Sequence, residues 1–203
     1  MQILWIFASA AALALMGCGT GRSEHAALSA SAAASRSNGL RNVDSLLIRH
    51  AEKPESGPGL SPAGVARANA YARYFQGLSI GSQVLTPDCL IAATDSAQSS
   101  RPRLTLEPLG KALKLPINDH YGASQVETLG EDLRATAHGA CILICWRHGG
   151  MPRLLSALGA KPSSFLPHET WPEQEYGWVI HLRYDAKGRL LRGHSQRINE
   201  PPL

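Results

Sequence analysis

Residues 139–146 read Gly-Ala-Cys-Ile-Leu-Ile-Cys-Trp, an apolar run that no polar side chain interrupts. An amphipathic helix would show polar residues every third or fourth position, and a half-exposed strand would alternate every second. A short run that does neither fits a parallel strand covered on both faces. Parallel neighbours need helical crossovers, and crossovers put helices on the faces of the sheet. This one segment therefore points to an α/β fold.

The rest of the chain agrees. Val43–Arg49 is a second apolar run that ends in charge, and Cys89–Ala93 is a third strand. Between them, Ser61-Pro62 is a helix N-cap followed by proline at the first helical position. The helix it opens carries Val65, Ala66, Tyr71, Tyr74 and Phe75 and stops near Gly77. Further helices are expected over Pro102–Ala112, Thr128–Ala137 and Pro152–Leu158. Val179–Tyr184, a turn over 185–188, and 189–193 read as a hairpin. The expected architecture is a three-layer α/β/α sandwich with a mostly parallel sheet and a C-terminal edge hairpin, spanning 42–203 as one domain. A chain of 203 residues with 44% hydrophobic and 18% charged residues has enough apolar material for such a core. Twenty basic against sixteen acidic residues is too small an excess to point to nucleic acid, and it suits a small anionic substrate.

The N-terminus reads differently. Residues 1–17 carry no charge and are too few for a membrane span, which fits the apolar region of an export signal. Leu15-Met16-Gly17-Cys18 resembles a bacterial lipobox, so Cys18 is expected to carry a lipid after cleavage. The alternative is plain secretion with Cys18 incidental. Residues 18–41 are Ala- and Ser-rich and read as a flexible tether. The expected location is periplasmic or outer-surface, with membrane attachment through the lipid alone. Cys89, Cys141 and Cys145 show no metal-site spacing and read as buried thiols, and no metal or cofactor is expected.

Ligands of open α/β sheets bind beyond the carboxyl ends of the strands. There the chain delivers Arg49-His50 after one strand and Arg147-His148 after another, while Cys89–Ala93 leads on to Arg101. Guanidinium forks bind phosphate oxygens in pairs and stay charged. A neutral imidazole is a competent nucleophile toward phosphorus, and a second imidazole can stabilise charge on the transferring oxygens. There is no P-loop pattern.

Four segments then resemble the histidine phosphatase superfamily, the phosphoglycerate-mutase-like proteins, between about Ser45 and Leu158 and more loosely to the C-terminus. They are Leu-Leu-Ile-Arg49-His50-Ala-Glu52, Leu60-Ser61-Pro-Ala-Gly64-Val-Ala-Arg67-Ala68, Arg101 four residues before Thr105, and Ile-Cys-Trp-Arg-His148-Gly. The resemblance implies a metal-independent phosphoric monoester hydrolase of the histidine acid phosphatase kind. His50 would become phosphohistidine, and Arg49, Arg101 and His148 would line the phosphate pocket with it. It does not settle the placement of Arg103 and Arg147.

Family members place a carboxylate between the second and last motifs to protonate the leaving group. Asp119 is the leading candidate here, ahead of Glu127, Glu131 and Asp132, and an alternative role for Asp119 is to cap a loop turn. Glu52 reads either as part of the opening motif or as a partner of a nearby cation. Trp171, Pro172 and Trp178 read as sheet-edge packing or as a wall over the site. An exported location directs the search to phosphorylated small molecules or cell-envelope components. The alternative function is a non-catalytic phosphate- or anion-binding lipoprotein with the same pocket.

Overall fold

The computed structural model describes residues 39–201. Asp44–Arg49 forms β1, every residue of it buried, because it lies in the middle of a sheet. It pairs in parallel with β6 (Cys141–Trp146) on one side and antiparallel with β7 (Trp178–Arg183) on the other. With β4 (Cys89–Ala93), β5 (Ile117–Tyr121) and β8 (Gln196–Asn199), the six strands run in the order β5-β4-β6-β1-β7-β8. The first four are parallel, β7 runs against them, and β8, antiparallel to β7, runs with them again. A separate ribbon joins β2 (Leu78–Ile80) to β3 (Gln83–Leu85).

Alternation along β1 divides the core in two. Leu46 and Ile48 share a cluster with Tyr71, Phe75, Leu106 and Leu109, the inner faces of α1 (Pro62–Tyr74) and its cap and of α2 (Arg101–Leu113). Leu47 lies in the other cluster with Leu129, Leu133, Leu154 and Leu155 of α3 (Val126–Ala135) and α4 (Met151–Ala157). β6 repeats the division, with Leu143 and Cys145 on the first side and Ile142, Ile144 and Trp146 on the second. The expected sandwich with a mostly parallel sheet is therefore the observed one. Cys141 and Cys145 are buried and Cys89 half-buried, all three as free thiols. Burial pushes the Cys89 thiol up to about 11 and the other two further still, so they pack as small hydrophobes.

Three expectations shift. The antiparallel partner of β7 is Gln196–Asn199, not 189–193. Only an isolated bridge, Tyr184 to Leu190, forms at the turn, because a 3₁₀ turn at Arg192–His194 carries the chain further before it pairs. The domain also starts earlier than 42. Leu40 is 3% exposed within the core, and Gly39 donates its N–H to the Thr136 carbonyl at 3.1 Å. The last residues assigned to the tether thus belong to the fold. The signal segment 1–17, Cys18 and the remainder of the tether lie outside the described residues. Third, Asp119 lies within β5, the outermost parallel strand, and so does not cap a loop turn.

Candidate active site

The parallel strands point their carboxyl ends at one place. β1 ends in Arg49 and hands the chain to His50, and the His50 N–H donates to the Trp146 carbonyl at 3.0 Å. The two strand ends that carry the Arg-His pairs are thereby fastened together. Ser61 caps α1, its hydroxyl accepting the Gly64 N–H at 3.0 Å. The same residue donates its backbone N–H to the Glu52 carbonyl at 2.9 Å. A Cβ at Gly64 would stand 2.5 Å from that carbonyl oxygen. The Leu-Ser-x-x-Gly stretch is thus the seat on which α1 rests against the strand-end segment. Thr105 joins the third element: its hydroxyl accepts the Ala51 N–H at 2.9 Å and donates to the Arg101 carbonyl at 2.8 Å.

His50 is 4% exposed. Its Nδ1 lies 2.7 Å from the Ala51 carbonyl, a group that only accepts. Nδ1 therefore carries the proton, and Nε2 presents its lone pair. Burial, reinforced by the charges of Arg49, Arg101 and His148, holds the imidazole down at about 4, so it is neutral near pH 7. His148 is also lowered, first by burial and then by Arg49.

Arg49 is fully buried. Its Nη1 donates to the backbone carbonyls of Pro172 at 3.3 Å, Glu173, and Glu175 at 3.0 Å. The Tyr176 ring covers its guanidinium at 3.8 Å. Residues 172–176 are therefore a wall of the site. Trp171 stands behind that wall: it is buried, packs on Trp178 with ring centroids 5.5 Å apart, and donates Nε1–H to the Glu175 carbonyl at 2.8 Å. Arg101 donates to the Gly57 carbonyl at 3.1 Å and the Gln98 carbonyl at 3.2 Å. Burial and the charge of Arg147 lower its pKa, yet a guanidinium stays charged. Arg147 donates Nη2–H to the Ser96 hydroxyl at 2.8 Å.

Among the described residues, seven buried side-chain nitrogens and oxygens lack a hydrogen-bond partner. Five of them are Arg49 Nε and Nη2, Arg101 Nε, Arg147 Nε and His148 Nδ1. Leaving a buried polar group unpaired costs about 1–3 kcal/mol, more when it is charged. Four of the five belong to Arg49, Arg101 and His148, the groups whose charges act on His50, and unpaired cationic donors of this kind suit an oxyanion.

The structure brings Arg49, His50, Arg101 and His148 together, and Arg147 lies near enough for its charge to act on Arg101. Arg103 is elsewhere, paired with Asp95 at 2.8 Å and with Glu107. Asp119 lies near Arg103 and is not among the charges that act most on His50. Its backbone carbonyl accepts the Thr94 hydroxyl at 2.5 Å, and its charge acts on Arg103. Glu127 pairs with Arg153 at 2.7 Å, Asp132 accepts from the Tyr121 hydroxyl, and Glu131 is exposed on α3. Glu52 is held by Arg67 at 2.9 Å, which makes it the partner of a cation. The carboxylate whose charge reaches His148 is Glu173. It lies in the wall segment, which its neighbours Trp171 and Pro172 had marked as a wall or as packing. Lys53, 2.7 Å away, holds Glu173 below the usual carboxylate range.

Among the described residues no group of three or more His, Cys, Asp and Glu side chains is arranged to hold a metal ion. Neither a protein-family model nor a curated protein matches the chain. Solved structures do. The phosphoglycerate mutase of Plasmodium falciparum matches with a TM-score of 0.52 at 12% identity, over 79% of this chain and 94% of that one. The fold is phosphoglycerate-mutase-like. Two further solved structures are similar to this chain: the protein histidine phosphatase SixA complexed with tungstate, and the alpha-ribazole phosphatase of Shigella flexneri. The first has a TM-score of 0.46 at 15% identity, over 77% of this chain and 97% of that one. The second has 0.43 at 15% identity, over 78% and 100%. In the phosphoglycerate-mutase-like fold of this chain, the Arg-His pairs stand at the carboxyl ends of the two central parallel strands, β1 and β6.

Proposed function

We propose that the protein is a phosphatase of the histidine phosphatase superfamily that hydrolyses phosphate monoesters through a phosphohistidine on His50. The observation that carries this is the set of unpartnered nitrogens on Arg49, Arg101, Arg147 and His148 around a buried, neutral His50. A phosphoryl group brings the oxygens those donors lack. Binding needs only the cations. The nucleophile, with its lone pair fixed on Nε2, favours transfer over mere binding.

In the first step the Nε2 lone pair forms a bond to phosphorus, and the phosphorus–oxygen bond to the leaving group breaks. Arg49, Arg101 and Arg147 take the charge on the equatorial oxygens. An anion in the pocket also favours protonation of His148, which then donates to it. In the second step water adds to phosphorus, the nitrogen–phosphorus bond breaks, its electrons return to Nε2, and the proton that water sheds balances the one the leaving oxygen takes up. Products are the alcohol and inorganic phosphate.

We further propose export and lipid anchoring through Cys18, supported by the uncharged apolar residues 1–17 and the Leu-Met-Gly-Cys junction. The substrate would then be a phosphorylated small molecule or envelope component outside the cytoplasm. Metabolic labelling with a radioactive fatty acid should mark the full chain and not Cys18→Ser.

The test of the activity is hydrolysis of p-nitrophenyl phosphate by the full chain in EDTA beside His50→Ala. Turnover and an acid-labile, base-stable phosphoenzyme are expected in the first and absent in the second. Phosphate binding by the wild type without turnover or phosphoenzyme would identify an anion-binding protein instead.

A further inference from the structure

The pocket wall carries a hydroxyl that the two-step scheme leaves unused. Tyr176 follows Glu175, whose carbonyl holds Arg49, so the segment that fixes the arginine also fixes the phenol. Its ring covers the Arg49 guanidinium at 3.8 Å, and its centroid is 6.5 Å from that of the His50 imidazole, with the rings inclined by 58°. The phenol is close enough for its charge to act on Arg101 as well as on Arg49. No described residue hydrogen-bonds that hydroxyl. The residue is half-buried.

The carboxylates around the pocket do not meet the need for an acid. Asp119 faces Arg103, Glu52 is locked to Arg67, and Glu173 is ionised beside Lys53. An aryl phosphate needs no donor, because its phenolate departs readily. An alkyl phosphate does, because a free alkoxide is strongly basic.

On the phosphatase reading above, we propose that Tyr176 is the general acid and that it admits unactivated alkyl phosphomonoesters as substrates. As the ester oxygen leaves phosphorus with its electron pair, it takes the phenolic proton. The phenolate remains beside Arg49 and Arg101. The water that then attacks the phosphohistidine gives its proton to the phenolate, restoring the tyrosine. The alternative is that Tyr176 serves only as a plate for Arg49.

Tyr176→Phe separates the two, because phenylalanine keeps the ring over Arg49 and removes only the hydroxyl. With the full chain, kcat for glycerol phosphate should fall at least about 100-fold in the variant. The rate with p-nitrophenyl phosphate should stay within about threefold of the wild type, which also shows that the variant is folded. Equal losses on both substrates, or no loss on either, would overturn the proposal. So would a wild type that hydrolyses the aryl ester and not the alkyl one, an outcome that leaves the phosphatase reading standing. A wild type that forms no phosphohistidine from the aryl ester removes that reading and this one together.

Discussion

His50 should make the fold acid-sensitive by an amount that follows from its burial. The side chain is 4% exposed and held at about 4, against an ordinary value of 6.5. Because the folded state resists protonation, the unfolded chain binds the extra proton between those two values. Stability is therefore fullest above pH 6.5 and is lost as the pH falls from there to about 4. At 1.36 kcal/mol per pH unit, the His50 contribution between pH 7.5 and 4.5 is about 2.5 kcal/mol. His50→Asn retains a side-chain N–H that can reach the Ala51 carbonyl and removes the titration. Urea unfolding of the two proteins at both pH values isolates the effect, since every other titrating group is common to them. The wild type should lose about 2.5 kcal/mol more than the variant on acidification. A parallel pH dependence in the two would refute the reasoning, because it would mean that His50 is not held neutral by the pocket.

Three further outcomes test the construction of the site. Gly64→Ala should destabilise the fold by about 1–3 kcal/mol in chemical unfolding, because the new Cβ meets the Glu52 carbonyl. An unhindered helical position would instead gain up to about 1 kcal/mol. Arg147→Gln should weaken inorganic phosphate binding by about 10- to 100-fold in calorimetry, the loss of one charge-assisted hydrogen bond. Arg103→Gln should leave that binding unchanged, since its partners are Asp95 and Glu107. Leu40→Ala should cost about 2–5 kcal/mol in unfolding if the core includes Leu40 as its burial indicates.

Sequence by itself determined the α/β class, because uniformly apolar runs such as Cys141–Trp146 are tolerable only inside a doubly covered sheet. It also put Arg49-His50 and Arg147-His148 at strand ends, and the structure sets those two ends side by side because β1 and β6 are parallel neighbours. The helix seat was legible too, since Ser61, Pro62 and Gly64 act through local backbone chemistry. Acid candidates were not legible. Asp119, Glu127, Glu131 and Asp132 were open possibilities until the packing turned Asp119, Glu127 and Asp132 toward other partners and left Glu131 exposed. The second strand of the C-terminal hairpin was missed because a 3₁₀ turn, stabilised locally, delays pairing to Gln196. Arg147 and Arg103 looked alike as extra cations. Tertiary structure alone decided between them, by giving Arg103 two carboxylates and leaving Arg147 Nε with none. It alone also brought Tyr176 onto Arg49 across more than a hundred residues of chain. The physical reason is one of range: backbone and strand preferences are set by near neighbours, whereas the partner of a charge is whichever group the finished packing sets beside it.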